Sequence, residues 1–198
     1  MSDRLAVLCD FDGTLTAENV LLALYEHFAH PSYRVFVERW NRGEIGTREE
    51  LAACFATITA TPAEMRPLLD IIRLRPHALR LIDYCRRQGY DFAIVSEGLE
   101  WYIRYLLEKH GVEGVPIFAN TIYFEDDGYR FSFPWFDPAH PHQGTAKAAI
   151  VQRYQADGRR VIFAGDGQSD VEAAAVVDQL FARDWLLAPA HREGVPAT

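Results

Sequence analysis

From Arg4 to Phe11 the chain reads RLAVLCDF, almost unbroken apolar residues, as expected of a parallel strand buried on both faces. Asp91–Ser96 (DFAIVS) and Arg160–Gly165 are runs of the same kind, and Leu180–Ala182 reads as a short last strand. Between the first two runs the spacing turns helical. Apolar positions repeat along Val20–Phe28, and Thr47 with Glu50, and Thr61 with Pro62 and Glu64, read as capping boxes that open helices. Helices are also predicted over Pro76–Gly89, over Leu99–His110 with Gly111 as its stop, and over Gly144–Ala156. Another is predicted over Ser169–Val177, opened by Ser169 with Glu172. Phe118–Phe124 and Tyr129–Phe133 flank Asp127-Gly128, a hairpin turn.

Strands alternating with helices predict an α/β fold with a doubly wound, Rossmann-like parallel sheet. Residues 1–15 and 76–198 would form this core, and residues 16–75 a small helical cap inserted after the first strand. Sheets of this kind bind ligands outside the carboxyl ends of their strands. Here three greasy strands end in polar residues: Asp10 and Asp12, then Ser96, then Asp166. Residues far apart in sequence are therefore expected to meet at one rim.

Composition narrows the partners. With 49% hydrophobic and 24% charged residues, 198 residues can bury a packed core. A net charge of −8 argues against a nucleic-acid footprint and against residence on an anionic membrane. It leaves a phosphorylated metabolite open as substrate, because a bound metal ion inverts the sign of a pocket. Cys9, Cys54 and Cys85 lack the spacing of a disulfide framework or a zinc site. No leader or membrane span is visible, so a cytoplasmic protein is expected, as a monomer or homodimer.

Asp10-Phe11-Asp12-Gly13-Thr14 puts two carboxylates on one side of the chain, with a glycine to turn out of the strand. Two ionised acids so close repel, by about 4 kcal/mol at ~4 Å and an effective dielectric of ~20. One therefore holds a proton more readily, which suits a nucleophile beside a general acid; a turn with two solvated acids is the plain alternative. In Gly165-Asp166-Gly167-Gln168-Ser169-Asp170 the last glycine of a dinucleotide fingerprint is missing, and Asp166 and Asp170 fit better as magnesium-site acids. Helix capping would explain Ser169 and Asp170 but not Asp166. Ser96-Glu97-Gly98 offers a hydroxyl and backbone N–H groups to an anion. Lys147 would be a surface lysine, except that three acids need a divalent cation and an ammonium before a phosphate dianion can approach.

These residues together resemble the haloacid dehalogenase superfamily of phosphatases: Asp10 to Thr16 (DFDGTLT) is similar to its first motif, Ser96 to the second, Lys147 to the third, and Gly165-Asp166 with Asp170 to the fourth. The resemblance implies Asp10 as nucleophile, Asp12 as acid and base, and Lys147 with Ser96, Glu97 and Gly98 around the phosphoryl group. It implies Mg²⁺ on Asp10, the Asp12 carbonyl and Asp166, with Asp170 and Ser169 in support. The layout looks like the phosphoserine phosphatase subgroup, including Glu18 as a candidate specificity residue and a hairpin flap at Asp127-Gly128. Cys54 stands where that subgroup has a carboxylate-binding arginine, which disfavours phosphoserine. Ile45–Phe55 and Phe181–Leu186 look closer to the methionine-salvage phosphatases, which act on a 2-hydroxy-3-keto-5-methylthiopentenyl phosphate. Phosphoserine, phosphocholine or phosphoethanolamine phosphatases and a phosphomutase are the alternatives. Trp40, Trp101, Trp135 and Phe136 could line a pocket, Arg39, Arg42 and Arg48 could read a substrate acid, and His140 with His142 could hold a metal.

Overall fold

The computed structural model describes residues 4–126 and 128–192. Its sheet has six strands: β1 (Arg4–Cys9), β2 (Asp91–Leu99), β3 (Ile117–Glu125), β4 (Gly128–Ser132), β5 (Arg159–Gly165) and β6 (Gln179–Ala182). Their order is β4-β3-β2-β1-β5-β6, parallel except for the β3–β4 hairpin. The chain winds from β1 outward through β2 and β3, then returns to β5 and β6 on the other side. The end of β1 is thus the switch point where such sheets hold ligands.

Alternation along the strands explains the greasy runs. Val7 and Cys9 of β1 join one core cluster, Ala6 and Leu8 the other, and β2 divides in the same way. One face is covered by α7 (Lys147–Ala156), α8 (Val171–Val176) and α9 (Leu187–Arg192). The other takes α5 (Ala78–Gln88), α6 (Glu100–Lys109) and the helical insertion, α1 (Val20–Phe28), α2 (Tyr33–Asn41), α3 (Thr47–Phe55) and α4 (Pro62–Ile71). Buried residues of the insertion, among them Leu24, Tyr25, Leu51 and Phe55, belong to the same cluster as β1 and β2. Where the chain enters and leaves the insertion, the two segments run antiparallel: Ala17 N–H donates to the Arg73 carbonyl at 2.9 Å and Arg75 N–H to that of Leu15 at 2.8 Å. Among the described residues no helix is long and apolar enough to cross a membrane.

Several boundaries differ from the sequence reading for identifiable reasons. β2 does not end at Ser96; Ser96, Glu97 and Gly98 stay extended to Leu99, with a register shift against β3. The helix expected from Gly144 starts at Lys147, because the Glu97 carboxylate accepts from Gly144 and Thr145 N–H and holds them in a loop. Thr61 and Glu64 do form a capping box. Thr47 and Glu50 do not: Glu49 reaches back to Gly46 N–H one residue earlier, Thr47 Oγ1 accepts from Trp40 Nε1, and Glu50 turns inward. Ser169 and Glu172 do not pair either, since Ser169 faces Lys147 and Glu172 bonds His140. The hairpin forms, with Gly128 at φ 147°; Asp127 lies outside the described residues.

Phe55 carries the packing of the insertion against the hairpin, edge-on to Tyr25, Tyr129 and Phe131 at 5.2–5.7 Å. Phe55→Ala is expected to lower the unfolding free energy by about 3–5 kcal/mol, read as a lower urea midpoint. A loss below ~1 kcal/mol would show that the insertion does not depend on this ring.

Candidate active site

The carboxyl ends of β1, β2 and β5 open into a cleft of about 380 Å³, lined on the sheet side by Asp10, Asp12, Ser96, Gly98 and Asp166. The expected gathering of distant residues is therefore what the sheet produces. Asp10 follows β1 directly, and its N–H continues the ladder to the Ala164 carbonyl at 2.8 Å. Gly13 takes φ +79°, and a Cβ there would come within 2.5 Å of Asp166 Oδ2. The glycine thus permits both the turn and the close approach of β1 to β5.

Lys147 has no exposed surface. Its Nζ donates to Asp10 Oδ1 at 2.7 Å, Asp170 Oδ1 at 2.6 Å and Ser169 Oγ at 3.2 Å, so all three ammonium protons have acceptors. Burial alone would lower its pKa, but the charges and hydrogen bonds of Asp10 and Asp170 win and raise it. Asp10 moves upward, chiefly through burial, against the pull of Lys147. Asp170 is buried and fully used: Oδ1 meets Lys147, and Oδ2 accepts from Asp166 and Gly167 N–H at 3.0 Å each. Asp166 accepts the Thr14 hydroxyl at Oδ1, 2.6 Å away.

Oxygen atoms of Asp10, Asp166 and Asp170 lie within 4.8 Å of one another. Three carboxylates against one ammonium leave two negative charges, and an all-oxygen set of this kind suits a hard divalent cation. Among the described residues, Asp10 and Asp166 each keep an oxygen clear of protein donors, while Asp170 is committed to the lysine and the backbone.

Asp12 turns away from this cluster. Its Oδ1 accepts from Val20 N–H at 2.7 Å, at the start of α1, and its Oδ2 from the Tyr102 hydroxyl at 2.5 Å. Burial lifts its pKa to about 6, although both hydrogen bonds oppose the shift. Gly98 makes the arrangement fit, for a Cβ there would fall 1.8 Å from the Tyr102 oxygen and 2.5 Å from Asp12 Oδ2. Ser96 Oγ accepts from Gly98 N–H at 3.0 Å. The Glu97 side chain points instead to the loop before Lys147.

The insertion supplies the opposite wall: Asn19, Leu21, Leu22, Tyr25, Trp40 and Glu50 among others. Glu18 is not on this wall. It pairs with Arg73 at 3.2 Å and ties the two ends of the insertion together; its neighbour Asn19 lines the cleft and caps α1. Arg39 and Arg42 pair with Glu44 on the surface, and Arg48 lies over the Phe136 ring. Trp101 and Trp135 pack on Phe124 and Phe118, so Trp40 alone of the candidate aromatics lines the cleft. His140 faces Glu172. Sequence reasoning missed Tyr102, Tyr25 and Glu50. The signal for Glu50 was present: Thr47, Glu50, Leu51, Cys54 and Phe55 form one buried helical stripe, with an acid in its middle.

A model of haloacid dehalogenase-like hydrolases matches residues 7–175. Similar proteins include a 2-hydroxy-3-keto-5-methylthiopentenyl-1-phosphate phosphatase of Brevibacillus brevis, 28% identical over 99% of this chain and 90% of that one. A protein of the same description from Bacillus velezensis is 28% identical, covering 96% and 82%. Among solved structures, an aspartyl-phosphate intermediate analogue of a phosphoserine phosphatase superposes with TM-score 0.75 at 18% identity, covering 99% and 93%. A substrate-bound phosphoserine phosphatase gives 0.71 at 17%, covering 95% and 90%. The two structures speak to the shared fold.

Burial raises Glu50 from 4.5 to about 7, which generates a stability prediction. A raised folded-state pKa contributes stability below the unfolded value, lost as pH climbs through the folded one. Glu50→Gln lacks that loss. At pH 4 the two proteins should unfold alike, and at pH 8 the variant should be more stable by about 3 kcal/mol. Parallel urea curves at both pH values would refute the inward, uncompensated position of Glu50.

Proposed function

The chain belongs to the haloacid dehalogenase-like hydrolases, and from that membership we propose that it is a magnesium-dependent phosphatase acting on a small phosphomonoester through an aspartyl phosphate at Asp10. One observation carries the reading: a buried lysine holds Oδ1 of Asp10 at the rim of the sheet, leaving its second oxygen for attack. Residues 16–75 serve as the cap over a core of residues 1–15 and 76–198.

Asp10 attacks phosphorus, and the bond to the leaving alcohol breaks as Asp12 gives that oxygen its proton. Asp12 then takes a proton from water, whose oxygen displaces Asp10 and frees phosphate. The upward shift of Asp12 to about 6 favours the protonated acid that the first step needs. Tyr102 and the start of α1 hold its carboxyl in place. Ser96 Oγ, held at the cleft by Gly98 N–H, receives the phosphoryl oxygens together with the backbone at Glu97. Lys147, with its protons shared among Asp10, Asp170 and Ser169, orients the nucleophile and offsets its charge. Asp10, Asp166 and the Asp12 carbonyl would hold Mg²⁺, which when bound supplies charge stabilisation to the phosphoryl oxygens.

The names of the relatives support 2-hydroxy-3-keto-5-methylthiopentenyl-1-phosphate as substrate. Its uncharged leaving portion suits a wall built from Leu21, Leu22, Val37 and Trp40. Phosphoserine is a poorer fit. Cys54 is buried against Glu50, and no Lys, Arg or His is among the described residues lining the cleft.

Purified protein with Mg²⁺ should release phosphate from p-nitrophenyl phosphate and stop in EDTA. Asp10→Asn should abolish release, and Asp12→Asn should slow it by about 10²–10⁴-fold. Release that persists in EDTA or in Asp10→Asn would refute the reading.

A further inference from the structure

The cap side of the cleft presents an acid that the steps above do not use. Glu50 is 6% exposed, yet it lines the cleft. Its Oε2 accepts from the Tyr25 hydroxyl at 3.2 Å and its Oε1 from the Cys54 thiol at 3.5 Å. Neither donor is a cation, and Glu50 forms no ion pair among the described residues. A carboxyl so placed keeps a proton or takes a partner from whatever fills the cleft. The walls offer no such partner. Glu97 is a second acid, already committed to Gly144 and Thr145 N–H. Trp40 has given its indole N–H to Thr47 Oγ1, which leaves its ring face for a ligand.

We propose that Glu50 selects the leaving alcohol: it accepts a hydrogen bond from a hydroxyl or ammonium group on that part of the substrate, and turns away alcohols that carry a carboxylate. The proposal rests on the phosphatase reading of this site and adds the chemical class of substrate. A donor arriving at Glu50 fills the vacant acceptor capacity of a desolvated carboxylate, whereas an acid would face Glu50 and Glu97 together. The hydroxyl in the relatives' substrate name is a donor of the required kind. Burial raises the Glu50 pKa to about 7, against the hydrogen bonds from Cys54 and Tyr25.

The test uses the full chain with Mg²⁺ and four esters: glycerol 3-phosphate (hydroxyl), phosphoethanolamine (ammonium), phosphoglycolate (carboxylate) and p-nitrophenyl phosphate (no donor). The readout is the ratio of kcat/KM for each donor ester to that for phosphoglycolate, which cancels any loss of folded enzyme. In Glu50→Gln and Glu50→Ala the ratio for at least one donor ester should fall tenfold or more. A larger fall for the glycerol ester identifies a hydroxyl, and a larger fall for phosphoethanolamine an ammonium. Ratios within twofold of wild type in both variants, with phosphate still released, would overturn the role of Glu50 alone. No release from any ester by wild type would overturn the phosphatase reading, and this proposal with it.

Discussion

A lysine with no exposed surface stays charged only if acids surround it, and much of this molecule meets that condition at Lys147. Taking one ammonium and two carboxylates out of water costs several kcal/mol per ion, so the geometry must return nearly all of it. Asp10 comes from the end of β1, Asp170 and Ser169 from the turn after β5, and Lys147 from the first residue of α7. The three groups meet only if the sheet order and the start of α7 are both correct. Neighbouring residues are chosen to allow it. A Cβ at Gly165 would strike the Asp170 carboxylate at 2.6 Å, and Glu97 restrains the loop from which α7 begins. Fold and candidate site are therefore one constraint seen from two sides.

The reacting end and the selecting end of the cleft follow different rules. At the sheet, Lys147 pairs with Asp10 and Asp170, and every oxygen of Asp170 is spoken for. On the insertion, Glu50 is desolvated with two weak neutral donors, on a wall that also carries Leu21, Leu22 and Val37. The first arrangement serves a phosphoryl group whatever its ester, and the second can tell one alcohol from another. The insertion is also not an independent body. Its buried residues share a core with β1 and β2, and its ends are tied by Glu18 with Arg73 and by the pairing of Leu15 with Arg75.

By itself the sequence determined the buried strands, the helical insertion after the first of them, and the rim where Asp10, Ser96 and Asp166 converge. Those features depend on local periodicity and on a general rule of parallel sheets, both of which act through neighbouring residues. Tertiary structure decided which polar groups face which. Thr47, Glu50 and Ser169 read as caps because nearby partners suffice for a cap, but Trp40, Tyr25 and Lys147, distant or on other elements, claimed them instead. Glu18 looked like a substrate reader beside the first motif until Arg73, distant in sequence, engaged it. Tyr102 could not be assigned to Asp12 before α6 was packed against β2 and β3. A buried polar side chain takes whichever partner the packed chain brings within about 3 Å, and that choice is absent from any window of sequence.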